Sequence, residues 1–268
     1  MPELPEVEIA RSNLERWLVG RRILSARVLD PSALRGQSAR RVTHTLRGAT
    51  VRGIARRGKH LIWDLGKRGK IASHFGMSGK LVVRGANEAR PRASRVVLHL
   101  ARGRELAFVD VRRLGAFQLI DEGVENKLRG LGVEPLEISF TPSQLSHLLA
   151  SARLPIKSFL MDQRRIAGLG NIHAAEALFR AGVHPARVAK SLSESEVRAL
   201  HRGIRGTLKQ TLRNEDDDIR YLHESGTENR FLVYGKKGEP CPRCKTPISR
   251  IVQAGRSTFY CAECQRVK

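Results

Sequence analysis

The chain has 268 residues, with 49 Lys and Arg against 26 Asp and Glu, a formal charge of +23. An excess of that size repels itself in the folded state and calls for a polyanionic partner. Arginine dominates it, and its planar fork suits phosphate, so nucleic acid is favoured over acidic proteins or a membrane surface. Apolar residues make up 41%, enough for two domains with real cores, and no apolar run reaches the roughly 18 residues of a membrane span.

The opening Met1-Pro2-Glu3-Leu4-Pro5-Glu6 has neither the basic nor the apolar stretch of a secretory leader, which makes the cytoplasm the expected compartment. A first helix is expected from Pro5 to about Val19, with Val7, Ala10, Leu14 and Trp17 on one face and Gly20 closing it. From Arg22 to about Asp121 the pattern changes to short runs of period two, such as Leu61–Leu65, Arg95–Leu100 and Glu105–Val109. Glycines punctuate these runs, which reads as an antiparallel β-sandwich. Residues 122–140 show neither period and read as a linker.

The remainder is helical until the cysteines. Thr141-Pro142-Ser143-Gln144 has the form of a capping box, and a short helix is expected from Pro155 to Asp162. The glycines of Ala167-Gly168-Leu169-Gly170-Asn171 break the chain, and a helix from Ile172 ends at Gly182. Ser193 with Glu196 caps a long helix that buries Val197, Leu200, Ile204 and Leu208 and exposes Arg198, Arg202, Arg205 and Lys209. The acidic run Glu215-Asp216-Asp217-Asp218 reads as a solvated loop. The expected domains are an N-terminal sandwich at 1–121, a linker at 122–140, a helical domain at 141–230 and a cysteine-bearing hairpin at 231–268.

All four cysteines lie in two CxxC knuckles, Cys241–Cys244 and Cys261–Cys264, with sixteen residues between them. Each knuckle sets two thiolates on one tight turn. The intervening Lys245–Tyr260 is long enough for a β-hairpin that brings the turns together around one tetrahedral zinc ion. Two disulfides are the rival pairing, disfavoured in a reducing cytosol.

The N-terminus offers a second chemistry. A small residue after the initiator methionine permits its removal, leaving Pro2 with a free secondary amine. An α-amino group titrates near about 8, so a fraction is neutral and nucleophilic at neutral pH. Attack on a sugar aldehyde carbon gives an iminium that cannot lose a proton from nitrogen, and it persists as an electron sink for elimination. Glu3 and Glu6 stand beside it as a candidate general acid and a water-orienting carboxylate.

The opening Met1-Pro2-Glu3-Leu4-Pro5-Glu6-Val7-Glu8 resembles that of the formamidopyrimidine-DNA glycosylase family, bacterial base-excision enzymes that remove oxidised purines. Arg56-Arg57-Gly58-Lys59 resembles its catalytic-lysine segment, Ser73–Gly79 its lesion-side loop and Asp110–Gly115 its duplex-probing loop. Gly168–Ile172 with Glu176 is similar to its helix-two-turns-helix, and Gly255–Cys261 to its zinc hairpin. The resemblance implies an α+β protein: an N-terminal helix and two-layer antiparallel sandwich, a helical domain and a β-hairpin zinc finger holding one structural zinc. DNA would lie across the cleft between them.

It further implies a monomeric glycosylase and abasic-site lyase acting on damaged duplex DNA, nucleoid-associated in use. Pro2, Glu3, Glu6, Lys59 and Arg256 would be its catalytic residues. Arg112 would face the estranged cytosine, while Met77 and Leu114 plug the gap left by the flipped base. His74, Arg95, Arg153, Lys157 and Asn171 would contact DNA, Asn171 together with the backbone N–H groups of the helix it opens.

Departures from the family pattern are local. Leu114 stands where an aromatic wedge is usual, His173 and Ala175 replace a tyrosine and a polar residue, and Ala93-Ser94 replace a His-Asp pair. Tyr221–Leu232 reads as a shortened form of the loop that closes over the flipped base. Two rivals follow: an endonuclease VIII-like enzyme for oxidised pyrimidines, and a non-catalytic zinc-ribbon DNA-binding protein.

Overall fold

The computed structural model describes residues 2–85, 87–214 and 230–266. The chain forms two compact units, Met1–Pro2 with Glu6–Gly130, and Glu3–Pro5 with Leu131–Lys268. Both the acidic run at 215–218 and most of the segment read as a shortened loop, 221–229, lie outside the described residues. Among the described residues no helix is long and apolar enough to cross a membrane.

Helix α1 spans Leu4–Leu18. Its buried stripe is Leu4, Val7, Ala10, Leu14 and Leu18, so Leu18 completes the apolar face and Trp17 stays half-exposed. The first unit then forms two four-stranded antiparallel sheets. One has the order β1 (Ile23–Val28), β6 (Ser94–Leu100), β7 (Arg104–Asp110), β5 (Gly79–Gly85). The other has the order β2 (Gly53–Arg57), β3 (His60–Asp64), β4 (Lys70–His74), β8 (Ala116–Leu119). Phe108 of the first sheet meets Phe117 of the second at 6.1 Å, and Trp63 meets Phe117 edge-on at 5.4 Å, so the aromatics fill the space between the layers.

Two helices in this unit escape the period-two reading. Helix α2 (Ala39–Leu46) starts at Ser38, whose side chain accepts from Arg41 N, and buries only Val42 and Leu46. Helix α3 (Glu122–Arg129) opens the stretch read as a linker, capped by Asp121. Its only apolar residues are Val124 and Leu128, too few to give a periodic signal.

The second unit holds α4 (Pro142–Leu149), α5 (Ile156–Met161), α6 (Asn171–Ala181) and α7 (Glu194–Asn214), then the hairpin β9 (Ser249–Gln253) and β10 (Arg256–Tyr260). Ser193 and Glu196 form both halves of a capping box, with Glu196 N donating to Ser193 Oγ and Ser193 N to Glu196 Oε2. At Thr141 only the forward bond from Gln144 N is made, and Gln144 Oε1 is buried without a partner. Val197, Leu200, Ile204 and Leu208 of α7 are buried as the spacing predicts. Gly203 lets α7 close on α6, because a Cβ there would lie 2.6 Å from Ala177 O.

Candidate active site and metal centre

Pro2 is buried and leads directly into α1. Glu3, 1% exposed, is held by the start of α6. Its Oε2 accepts from Gly170 N at 2.8 Å and His173 N at 3.2 Å, and its Oε1 from Ile172 N at 2.9 Å. The glycines of the Gly168-Leu169-Gly170 run make this approach possible. A Cβ on Gly170 would stand 2.3 Å from Glu3 Oε1, and Gly168, at φ +88°, has Leu4 against it and accepts the Leu4 N–H at 3.0 Å. The helix N-terminus expected to cradle a phosphate therefore carries the protein's own anion, Glu3. Gln163, which no motif signalled, braces the same turn by accepting from Gly168 N and donating to Leu169 O.

Asn171 and Lys157 meet beside this helix start. Lys157, only 1% exposed, donates to Asn171 Oδ1 and Thr258 Oγ1, each at 2.6 Å, and to Ser257 O at 3.3 Å. Asn171 Nδ2 donates to Ser257 O at 3.0 Å. Burial pushes the Lys157 ammonium down to about 8; Arg256 lowers it further and Glu3 opposes. Both residues, expected as DNA contacts, bond protein groups here and tie α5 and α6 to the zinc hairpin. Glu176 makes a second such tie. Fully buried on α6, it accepts from Leu232 N, Val233 N and Tyr234 N at 2.8–3.0 Å. Arg153 and Arg256 are exposed. Arg256 follows a two-residue turn whose Ala254 and Gly255 both have positive φ, 47° and 71°, the type I′ pattern.

In the first unit, Lys59 is 7% exposed, and it lies with Gly58 at the tip of the β2–β3 hairpin. Arg56 of the same segment pairs with Glu8 at 2.7 Å. Glu6 is buried at 4% exposure. His60 and His74 pair across β3 and β4, ring centroids 4.7 Å apart. Burial lowers His60 to about 4 and His74 to about 3, and each is held down further by the other ring or by nearby Lys and Arg, Lys59 among them. His74 Nδ1 accepts from Gly76 N at 3.0 Å, which leaves the neutral ring's proton on Nε2.

That bond shapes the Met77 loop, and a second loop packs against it. A Cβ on Gly76 would stand 2.4 Å from the Leu114 carbonyl carbon, so the backbones of the two loops touch there. Met77 at 43%, Leu114 at 45% and Val111 at 69% exposure are large apolar side chains left in solvent. Asp110, 1% exposed, ties the loops together: its Oδ2 accepts from Gly115 N at 2.7 Å and its Oδ1 from Ser78 Oγ at 2.5 Å. Ser78 Oγ in turn accepts from Arg112 N at 2.9 Å. Arg95, expected to contact a phosphate, donates to Asp110 O at 2.8 Å and pairs with Asp30 at 2.9 Å.

The four cysteine Sγ atoms all lie within 4.8 Å of one another. Cys241–Cys264 and Cys244–Cys261 are separated by 3.9 and 3.4 Å, near the spacing of about 3.8 Å that Zn–S bonds of about 2.3 Å impose on a tetrahedron. A disulfide would need about 2.05 Å. The set fits one structural zinc ion, and four thiolates leave no position for water or substrate.

Three family models match the chain: the formamidopyrimidine-DNA glycosylase N-terminal domain over residues 1–117, the H2TH domain of the same glycosylase over 131–222, and the zinc finger found in FPG and IleRS over 238–267. A formamidopyrimidine-DNA glycosylase of Symbiobacterium thermophilum is 42% identical over 275 residues, covering 100% of this chain and 90% of that protein. One of Roseiflexus sp. is 41% identical over 273 residues, covering 99% and 100%. Among solved structures, the Lactococcus lactis Fpg in complex with abasic-site DNA superposes with a TM-score of 0.90 at 34% identity, over 99% of this chain and 100% of that one. The same organism's G226P mutant with Fapy-dG DNA gives 0.90 at 33%, with the same coverage. The chain belongs to the formamidopyrimidine-DNA glycosylase family.

Proposed function

We propose that the chain excises oxidised purines from duplex DNA and then cuts the strand at the abasic site, with Pro2 as the nucleophile. The observation that carries this reading is the lodging of Glu3 on the start of α6, with Pro2 next to it in the chain. A carboxylate fixed by three backbone N–H groups is a pre-positioned group rather than a solvated side chain. The Pro2 nitrogen attacks C1′ of the extruded nucleotide, the bond from C1′ to the base breaks, and the base leaves with a proton. Glu3 serves the sugar ring oxygen as the ring opens, leaving a C1′ iminium. Loss of the 2′ proton expels the 3′ phosphate, and a further proton loss expels the 5′ phosphate. Lys59 shuttles protons, Glu6 orients water, and Arg256 holds a phosphate through the last elimination.

Met77 and Leu114 fill the void in the duplex, and Arg112 reads the unpaired base. The relevant partner is damaged duplex DNA, engaged by a monomer in the bacterial cytoplasm and nucleoid. The zinc is structural, and when bound it fixes the hairpin that carries Arg256.

The sequence of 221–232 reads as a shortened closing loop, and each hydrogen bond that a shorter loop would withhold from a lesion edge is worth about 1 kcal/mol. Formamidopyrimidine and abasic duplexes are therefore processed at least as fast as 8-oxoguanine opposite cytosine. Single-turnover incision of the three duplexes tests the reading. Products with phosphate at both ends of the gap are expected; intact strands on all three would refute it, and a clear preference for 8-oxoguanine would refute the lesion range.

A further inference from the structure

The loop from Asp110 to Gly115 carries Arg112 and Leu114 into solvent, yet its backbone is held from several directions. Two arginines outside it take its carbonyl groups. Arg95 on β6 donates from Nε to Asp110 O at 2.8 Å and reaches Val111 O at 3.5 Å. Arg35, itself in the left-handed region at φ 50°, donates to Gly115 O at 2.7 Å and Arg113 O at 3.3 Å. Arg95 is anchored in turn, its third terminus lying 2.9 Å from Asp30 Oδ2 with both side chains about 85% covered (14% and 15% exposed). Asp30 also receives Arg113 Nε at 2.9 Å, and its own backbone N–H and that of Leu29 donate to Arg95 O.

A guanidinium presents its donors in one rigid plane. Arg95 therefore cannot swing to a phosphate without releasing both Asp30 and the loop carbonyls. Leaving those carbonyls without this donor, and a largely covered carboxylate with Arg113 as its one remaining arginine partner, costs more than one exposed phosphate contact returns. Arg113 sits at φ 57°, a backbone state an arginine adopts only when its surroundings impose it. The bracing from Arg95, Arg35 and Asp30 supplies that constraint, and it fixes where the next-door Arg112 and Leu114 point.

We propose that Arg95, anchored on Asp30, is a positioning residue for the loop bearing Arg112, and thereby sets discrimination of the base opposite the lesion. The inference rests on the reading that Arg112 faces that base. Position 95 follows the Ala93-Ser94 pair that departs from the family pattern, and this chain has built its brace there.

The test compares parent, Arg95→Met, Asp30→Asn, the double variant and Arg112→Ala, all zinc-loaded and full-length. Single-turnover excision is measured for a formamidopyrimidine lesion opposite cytosine and opposite adenine, and undamaged-duplex affinity is measured across a salt series. Arg95→Met and Asp30→Asn should each cut the cytosine-over-adenine rate ratio by at least about fivefold, within the range of a lost base contact. The double variant should lose no more than either single one, and the salt slope should stay at the parent value. A slope flattened by about 0.9 with an unchanged ratio would make Arg95 a phosphate contact and overturn the proposal. A uniform loss on both duplexes, with the ratio preserved, would also overturn it. Asp30→Asn keeps the test open if Arg95→Met does not fold. Should Arg112→Ala leave the ratio unchanged, the reading of Arg112 fails and the proposal with it; an effect there but none in Arg95→Met or Asp30→Asn defeats the proposal alone.

Discussion

Two small projections carry Arg112 and Arg256, and they are held by different physics. The loop with Arg112 is wired by hydrogen bonds from Asp110, Ser78, Arg95 and Arg35, all within the first unit. The hairpin with Arg256 rests on a small apolar cluster, Phe179, Val233, Cys241, Ile248 and Cys261, which includes two of the metal-ligand cysteines. That core and the Lys157 and Asn171 bonds to Ser257 and Thr258 are modest supports, whereas structural zinc supplies binding of about 10–16 kcal/mol where a single hydrogen bond supplies about 0.5–1.5. A projection that takes most of its support from one ion loses most of it at once, whereas one held by a polar network alone can be weakened a bond at a time.

The largest effect expected from that contrast is at zinc. Cys244→Ser should release about one zinc per chain and weaken binding to damaged and undamaged duplexes alike, because Arg256 loses its platform. Metal analysis with a binding titration decides it, and wild-type affinity in zinc-free protein would break the contrast. Next comes Asp110→Asn, which leaves one of two buried bonds poorly met. It should cost about 1–3 kcal/mol in urea unfolding and reduce opposite-base discrimination while zinc content stays whole.

A smaller effect sharpens the hairpin side. Lys157 falls from 10.5 to about 8 in the fold. Between those values the unfolded chain binds more protons, so this residue's contribution makes stability rise with pH from about 8 to 10.5. Lys157→Met should remove that rise, seen by comparing melting temperatures of variant and parent across the window. The smallest effect concerns the His60–His74 pair. Both rings stay neutral in the fold, at about 4 and about 3 against 6.5 unfolded, so stability is lost as pH falls below 6.5 towards 4. His60→Phe should make acid unfolding shallower over that range, and an unchanged acid limb would show that the pair does not carry it.

The elements with strong periodicity or complete caps were legible: α1, the long helix after Ser193, the strands, and the zinc ligands from their spacing. Helices α2 and α3 were hidden because each has only two well-spaced apolar residues. The site was legible as a set of motifs but not as a wiring diagram. Nothing local tells that Gly170 is a glycine because Glu3, 167 positions earlier, needs the room. Asp110 and Gln163 were missed for the same reason, since their roles lie in backbone groups of a loop they close. Arg95 read as a phosphate contact because an arginine in a basic chain gives no local sign of its acceptors, Asp110 O and Asp30.

The central claim is a covalent step at the second residue, and borohydride trapping tests it most directly. Protein with Pro2 at its amino terminus, mixed with lesion-containing duplex and reduced, should give a cross-linked product whose peptide map places the DNA on Pro2. Protein that retains Met1 or carries an N-terminal tag should give none. A cross-link through Lys59 when Pro2 is blocked would contradict the account.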